Sequence, residues 1–199
     1  NTYTDRVRQT FDCPQKVFEV RDHYLRFNDL DLKALIDKYG TPFKLTYLPK
    51  TGQQINQAKE FFGDAMRKHR YDAKYFYCYC TKSSHFSFIL DEALRHGIHL
   101  ETSYAYDIEI VKKLHQQKKI TKDTFIICNG FKTKSYTRAI SRLINSGFRN
   151  VIPVLDNKSE IEDYRKMIKA KGPTNLGIRI AAEEEPSFDF YTSRLGIRC

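Results

Sequence analysis

The sequence predicts an α/β protein in which βα units repeat around a parallel sheet. From about residue 73, short β-branched or aromatic runs alternate with longer stretches of helical period. Five such runs recur at intervals of roughly 25 residues, the spacing of a strand, a helix and two short connections. The 199 residues contain 41% hydrophobic and 29% charged side chains, enough apolar material to bury a core.

The predicted strands are 74–80 (KYFYCYC), 98–102 (IHLET), 124–128 (TFIIC), 150–155 (NVIPVL) and 176–181 (LGIRIA). Between them, Phe86, Ile89, Leu90, Ala93 and Leu94 fall at helical spacing, as do Tyr104, Ile108, Val111 and Leu114, then Tyr136, Ile140, Leu143 and Ile144. Each set is one apolar stripe to lay on a sheet. Gly97 and Gly147 stand where two of these helices should stop, and Asn157 with Glu160 has the spacing of an N-terminal capping box. Before residue 73 the order differs: a leader, 1–40, without clear period, a short run at 42–48, and a helix from about Gln54 to His69. The expected division is therefore a leader over 1–40 and an incomplete βα barrel over 41–199. An eight-stranded barrel takes about 250 residues, so five strands would leave it unfinished, with an apolar edge that favours self-association.

Composition narrows the function. The net charge of +10 suits a nucleic-acid binder, and segment 69–80 interleaves bases with aromatics. The lysines and arginines are nevertheless spread over predicted helix faces, and 69–80 also reads as a buried strand, so no nucleic-acid partner is expected. Five scattered cysteines imply neither a disulfide framework nor a zinc ribbon. Cys78 and Cys80 should share one face of a strand. No run approaches the roughly 18 apolar residues of a membrane span, and Asn1–Arg8 lacks signal-peptide layout, so a cytoplasmic location is the expectation. The sequon at Asn157 would matter only after secretion. His96 and His99 lack a third ligand nearby, so no metal is expected.

Lys82 follows directly on the first predicted strand, in YCTK. A lysine at the carboxyl end of a barrel strand sits where barrel active sites lie, and with an apolar strand behind it can lose its proton and form a Schiff base. Position alone also allows an ordinary surface lysine. Arg179 inside an apolar strand is a permanent charge that needs an acceptor or an anionic ligand if buried. Glu101 and Asp107 suit either a site or the start of the helix near Ser103. His85 could face a pocket or lie on a helix surface.

Six blocks in order extend this reading: YGTPFKLTYLP (39–49), YCTK (79–82), LETSYAYDIEI (100–110), ICNGFK (127–132), VLDNKSEIE (154–162) and GIRIAAEEEPSFDFYTSRLGIR (177–198). Together they resemble the fold type III pyridoxal-phosphate decarboxylases, which act on arginine, ornithine or diaminopimelate and share the alanine racemase barrel. Within that family the chain looks most like the bacterial biosynthetic arginine decarboxylases. The resemblance implies that Lys82 carries pyridoxal 5'-phosphate as a Schiff base and is catalytic. Glu101 and Asp107 would lie near the cofactor or its support, and Arg179 near the cofactor ring and its hydrogen-bonded neighbours. The lysine of the family's Lys-Phe-Gly motif is here Arg194, which leaves its role open.

The implied reaction is decarboxylation of an amino acid, most simply arginine to agmatine in polyamine biosynthesis, with the pyridinium ring taking up electrons. Ornithine or diaminopimelate remain alternative substrates, and a non-catalytic pyridoxal-phosphate-binding or regulatory relative is a further alternative. The acidic run Glu183–Glu185 could attract a guanidinium or mark an exposed loop. None of the nine glycines forms a Gly-x-Gly. In the family, the phosphate loop, the ring-nitrogen acid and a C-terminal β domain that completes the site in a homodimer come after the last matching block. The resemblance thus makes the chain an N-terminal fragment with about five of eight barrel strands, and one expected to be inactive alone.

Overall fold

The computed structural model describes residues 17–181 together with Gly196 and Ile197. The chain divides into two compact units, one ending at Thr46 and the other starting at Tyr47.

The first unit holds structure that the period-free leader did not announce. Strands β1 (Phe18–Arg21), β2 (Tyr24–Phe27) and β3 (Leu30–Asp31) form an antiparallel meander. Both connections are two-residue turns, Asp22-His23 (φ 52° and 66°) and Asn28-Asp29 (φ 46° and 64°). Paired positive φ values match the twist of a hairpin, and Asn and Asp tolerate that conformation better than most residues. Strands of two to four residues are too short for alternation to register in sequence. Helix α1 (Leu32–Tyr39) follows, with the Asp31 carboxylate accepting the Ala34 N–H at 3.0 Å as N-cap.

The second unit opens with helix α2 (Leu48–Lys68), which begins six residues before the predicted Gln54 because Pro49 suits the first helical turn. The 42–48 run contributes no strand. Five strands follow, β4 (Cys78–Cys80), β5 (His99–Thr102), β6 (Ile126–Cys128), β7 (Val151–Leu155) and β8 (Gly177–Ile178), alternating with α3 (Ser87–Leu94), α4 (Ala105–Gln116), α5 (Lys134–Asn145) and α6 (Glu160–Met167). The sheet is parallel throughout and its strand order follows the chain, β4-β5-β6-β7-β8.

All five predicted strands are present, and each is shorter than read. Only Tyr77 to Cys80 of the 74–80 run engage β5, since the Tyr77 carbonyl receives the N–H of His99, where β5 starts. Pro153 has no N–H to give, and it lies one residue before β8 joins the ladder at Val154. Past β8, Ile180 bridges Ile197 in parallel sense. Gly196 is required there: its φ is +111°, and a Cβ would stand 2.8 Å from the Ala181 nitrogen and 3.1 Å from the Arg179 carbonyl oxygen.

One face of the sheet is fully buried. Leu100, Thr102, Ile126, Cys128, Val151, Pro153 and Leu155 point to it, and the stripes Ile108-Val111-Leu114 and Tyr136-Ile140-Leu143 cover them. The opposite face, including Glu101, Ile127 and Val154, is half-buried. The helix starting at Glu160 departs from the expected capping box. Asn157 accepts the Ser159 N–H at 3.0 Å, and the Glu160 carboxylate reaches back to the Asp156 N–H at 3.3 Å rather than to that of Asn157.

Candidate functional site

The loops that leave β4, β5, β6 and β8 at their carboxyl ends converge on one cavity of about 280 Å³, lined by Lys82, Ser103, Tyr104, Ala105, Asn129, Gly130, Phe131, Thr133, Tyr136 and Arg179. Parallel sheets bind ligands at this end, because loops from several strands meet there with helix N-termini behind them. A second cavity, of about 320 Å³, shares no lining residue with the first and lies between Asp91, Leu94, Arg95 and Lys119. Its charges are already joined, Lys119 Nζ to Asp91 at 2.5 Å.

Lys82 sits in the turn after β4 and is exposed. The residue before it fixes that turn: Thr81 is fully buried and gives both its N–H (3.0 Å) and its hydroxyl (3.1 Å) to the Glu101 carbonyl. The Ser83 hydroxyl closes the turn on the Cys80 carbonyl at 2.8 Å. Glu101 does not line the cavity. Its Oε1 accepts the Asn129 amide at 3.1 Å, so it orients a side chain that does.

Asp107 is buried, and its Oδ2 accepts the Ser103 N–H at 2.7 Å and the Tyr104 N–H at 3.1 Å. It caps α4 and does not line the cavity itself, but holds Ser103 and Tyr104, which do. Arg179 lines the same cavity as Lys82. Its backbone is tied on both sides, its N–H to the Leu155 carbonyl at 3.0 Å and its carbonyl to the Ile197 N–H at 2.7 Å. Of the four predicted site residues, Lys82 and Arg179 meet in the cavity, and Glu101 and Asp107 each hold residues that line it.

Other residues near the cavity were not read as site residues. Tyr136, predicted only as an apolar stripe residue, is 1% exposed, and its hydroxyl meets the Thr102 hydroxyl at 2.8 Å. Lys132 is 8% exposed, and its ammonium bonds the carbonyls of Gly130 (2.5 Å) and Val154 (2.6 Å). Burial pushes Lys132 below the ordinary lysine value, an effect opposed by the carboxylates of Glu160 and Asp156. Burial also raises Glu160 above the ordinary carboxyl range. Neither carboxylate oxygen of Asp156 has a hydrogen-bond partner among the described residues.

His85 stacks on Phe86 and does not line the cavity. His96 hydrogen-bonds Asn56 and Glu92, and the ring of His99 accepts the Phe125 N–H at 3.1 Å. Among the described residues no cluster of three or more His, Cys, Asp or Glu could hold a metal, and no helix is long and apolar enough to cross a membrane. Glu183–Glu185 and Arg194 lie outside the described residues.

Fold and cavity together define an α/β protein with a parallel sheet and a ligand-sized, cation-bearing pocket at the strands' carboxyl ends. The comparisons make this more specific. The chain is similar to biosynthetic arginine decarboxylases, 25% identical over 161 residues to that of Bacteroides thetaiotaomicron and 25% identical over 162 residues to that of Phocaeicola vulgatus. Each match takes in 76% of this chain and 25% of the relative, so the chain spans about a quarter of the curated relatives' length. The crystal structure of the biosynthetic arginine decarboxylase SpeA from Campylobacter jejuni shares the fold, with a TM-score of 0.63 at 14% identity over 85% of this chain and 30% of that one. No family model matches the chain. The relatives' names agree with the fold type III decarboxylase resemblance read from the six blocks.

Proposed function

We propose that the chain is the cofactor-anchoring part of a pyridoxal-phosphate-dependent amino-acid decarboxylase, with arginine as substrate and agmatine as product of the complete protein. The observation that carries the reading is that Lys82 and Arg179, distant in sequence, line one cavity at the strands' carboxyl ends. On this reading the five strands are the first part of a (β/α) barrel of the alanine racemase type, and Lys82 projects from its rim.

The residues present fit the aldehyde end of such a cofactor. Lys82 supplies the amine; Tyr104 and Phe131, exposed by 59% and 67%, offer planar faces to a heteroaromatic ring; Arg179 supplies a fixed positive charge for an anionic group. When bound, the cofactor supplies an electron sink that makes loss of carbon dioxide possible. The chain's own residues do the rest of the work assigned here. Lys82 would hold the aldehyde and Arg179 would offer its charge to the carboxylate of the substrate or another anionic group, while Glu101 fixes Asn129 at the wall and Asp107 fixes Ser103 and Tyr104. The buried helix-covered face keeps this rim rigid.

The test is chemical. Pyridoxal phosphate added to the purified chain should give absorbance near the visible edge, and borohydride followed by peptide mapping should leave one pyridoxyl group per chain, on Lys82. The Lys82→Ala variant should lose the absorbance and the label. Labelling scattered over many of the 20 lysines in the sequence, with none preferred at Lys82, would end the proposal.

A further inference from the structure

Lys132 is a lysine whose surroundings do not suit a surface role. It follows β6 by four residues, is 8% exposed, and directs its ammonium at two backbone carbonyls from different elements, that of Gly130 in the loop after β6 and that of Val154 inside β7. Gly130 is itself pinned: its φ is +78°, and a Cβ there would stand 3.2 Å from the Ser103 carbonyl oxygen, so this loop packs directly on the loop after β5. The ammonium also lies 5.6 Å from the centroid of the Tyr136 ring. Ser103, Gly130 and Tyr136 all line the cavity, and Asp107 holds Ser103 through its backbone N–H.

We infer that Lys132 is a positioning residue for the cavity: its ammonium clamps the Gly130 carbonyl to β7 and so sets the distance between the Gly130-Phe131 wall and the loop carrying Ser103. A carbonyl pair held by one buried cation is stiffer than one left to water, because removing the cation leaves two carbonyls and the nearby Asp156 and Glu160 carboxylates without their compensating charge. The importance of the clamp for ligand binding rests on the proposed pyridoxal-phosphate reading. Its mechanical part does not.

The experiment therefore reads two quantities in the full chain and in its K132M, K132R and Ile140→Val variants. One is hydrogen exchange at the amides of 129–133, which needs no ligand. The other is the dissociation constant for pyridoxal phosphate, with the label mapped after borohydride. K132M is expected to exchange about tenfold faster in that loop and to bind about tenfold more weakly while the label stays on Lys82. K132R, which keeps the charge but cannot place one donor between two carbonyls, should fall between K132M and the parent. Ile140→Val softens the same helix, α5, without touching the ammonium and should change neither quantity. A folded K132M with the parent's exchange and binding overturns the inference, as does an Ile140→Val variant that matches K132M. If K132M does not fold, K132R decides: intermediate values sustain the clamp and parental values overturn it. Absence of any Lys82 label in the parent would end the cofactor reading and leave the exchange comparison to judge Lys132.

Discussion

Asp107 accepts two backbone N–H groups at the start of α4, so its loss leaves both donors buried beside the cavity. Asp107→Ala is expected to cost about 1–2 kcal/mol, read as a lower urea midpoint at unchanged slope. His99 makes the opposite kind of contribution. Its ring nitrogen accepts the Phe125 N–H, and burial, with Lys59 nearby, holds its pKa below the ordinary 6.5. The unfolded chain then binds the proton first, so stability is complete above about pH 6.5 and falls as pH drops from there toward the folded value. Unfolding free energy measured across that window should decline on acidification, and His99→Gln should flatten the decline. The site residues were unevenly legible at this scale. Lys82 was legible as a residue at a strand end, whereas Arg179 reads as lying inside the 176–181 strand and reaches the same rim because β8 stops at Ile178. Lys132 is one lysine among many in the sequence; only the fold reveals that two carbonyls from separate elements receive it. Asp107 was equally compatible with a site and a cap, and spacing cannot distinguish a carboxylate that faces a cavity from one that faces the amides behind it.

Helix α2 carries two glycines with opposite expected responses. At Gly63 an added Cβ meets only the Arg67 Nη1 at 3.4 Å, so Gly63→Ala should stabilise by about 0.5–1 kcal/mol through helix propensity and reduced chain freedom. At Gly52 the same Cβ would stand 2.1 Å from the His96 Nε2, and the ring cannot step aside without leaving Asn56 and Glu92. Gly52→Ala should therefore destabilise by about 1–2 kcal/mol despite the better propensity, and paired thermal or urea melts of the two variants check the sign of each. Elements with a long apolar stripe were readable because burial repeats at the helical period, as in Tyr136-Ile140-Leu143. The leader meander was not, because its information lies in two turns of left-handed residues rather than in any period.

Over the whole sequence the net charge is +10, and the cavity itself is lined by a lysine and an arginine. Such a field should speed capture of a phosphorylated ligand. On the proposed function, the association rate of pyridoxal phosphate should fall severalfold from low to physiological salt while its release changes little, which stopped-flow absorbance would show. The parallel α/β class was legible because strand and helix periods alternate along the chain. The sheet's order has one more consequence. Every strand from β5 to β8 lies beside the strand made just before it, so a nascent chain leaving the ribosome can dock each new βα unit on a neighbour that has already emerged, and the order of synthesis becomes the order of assembly.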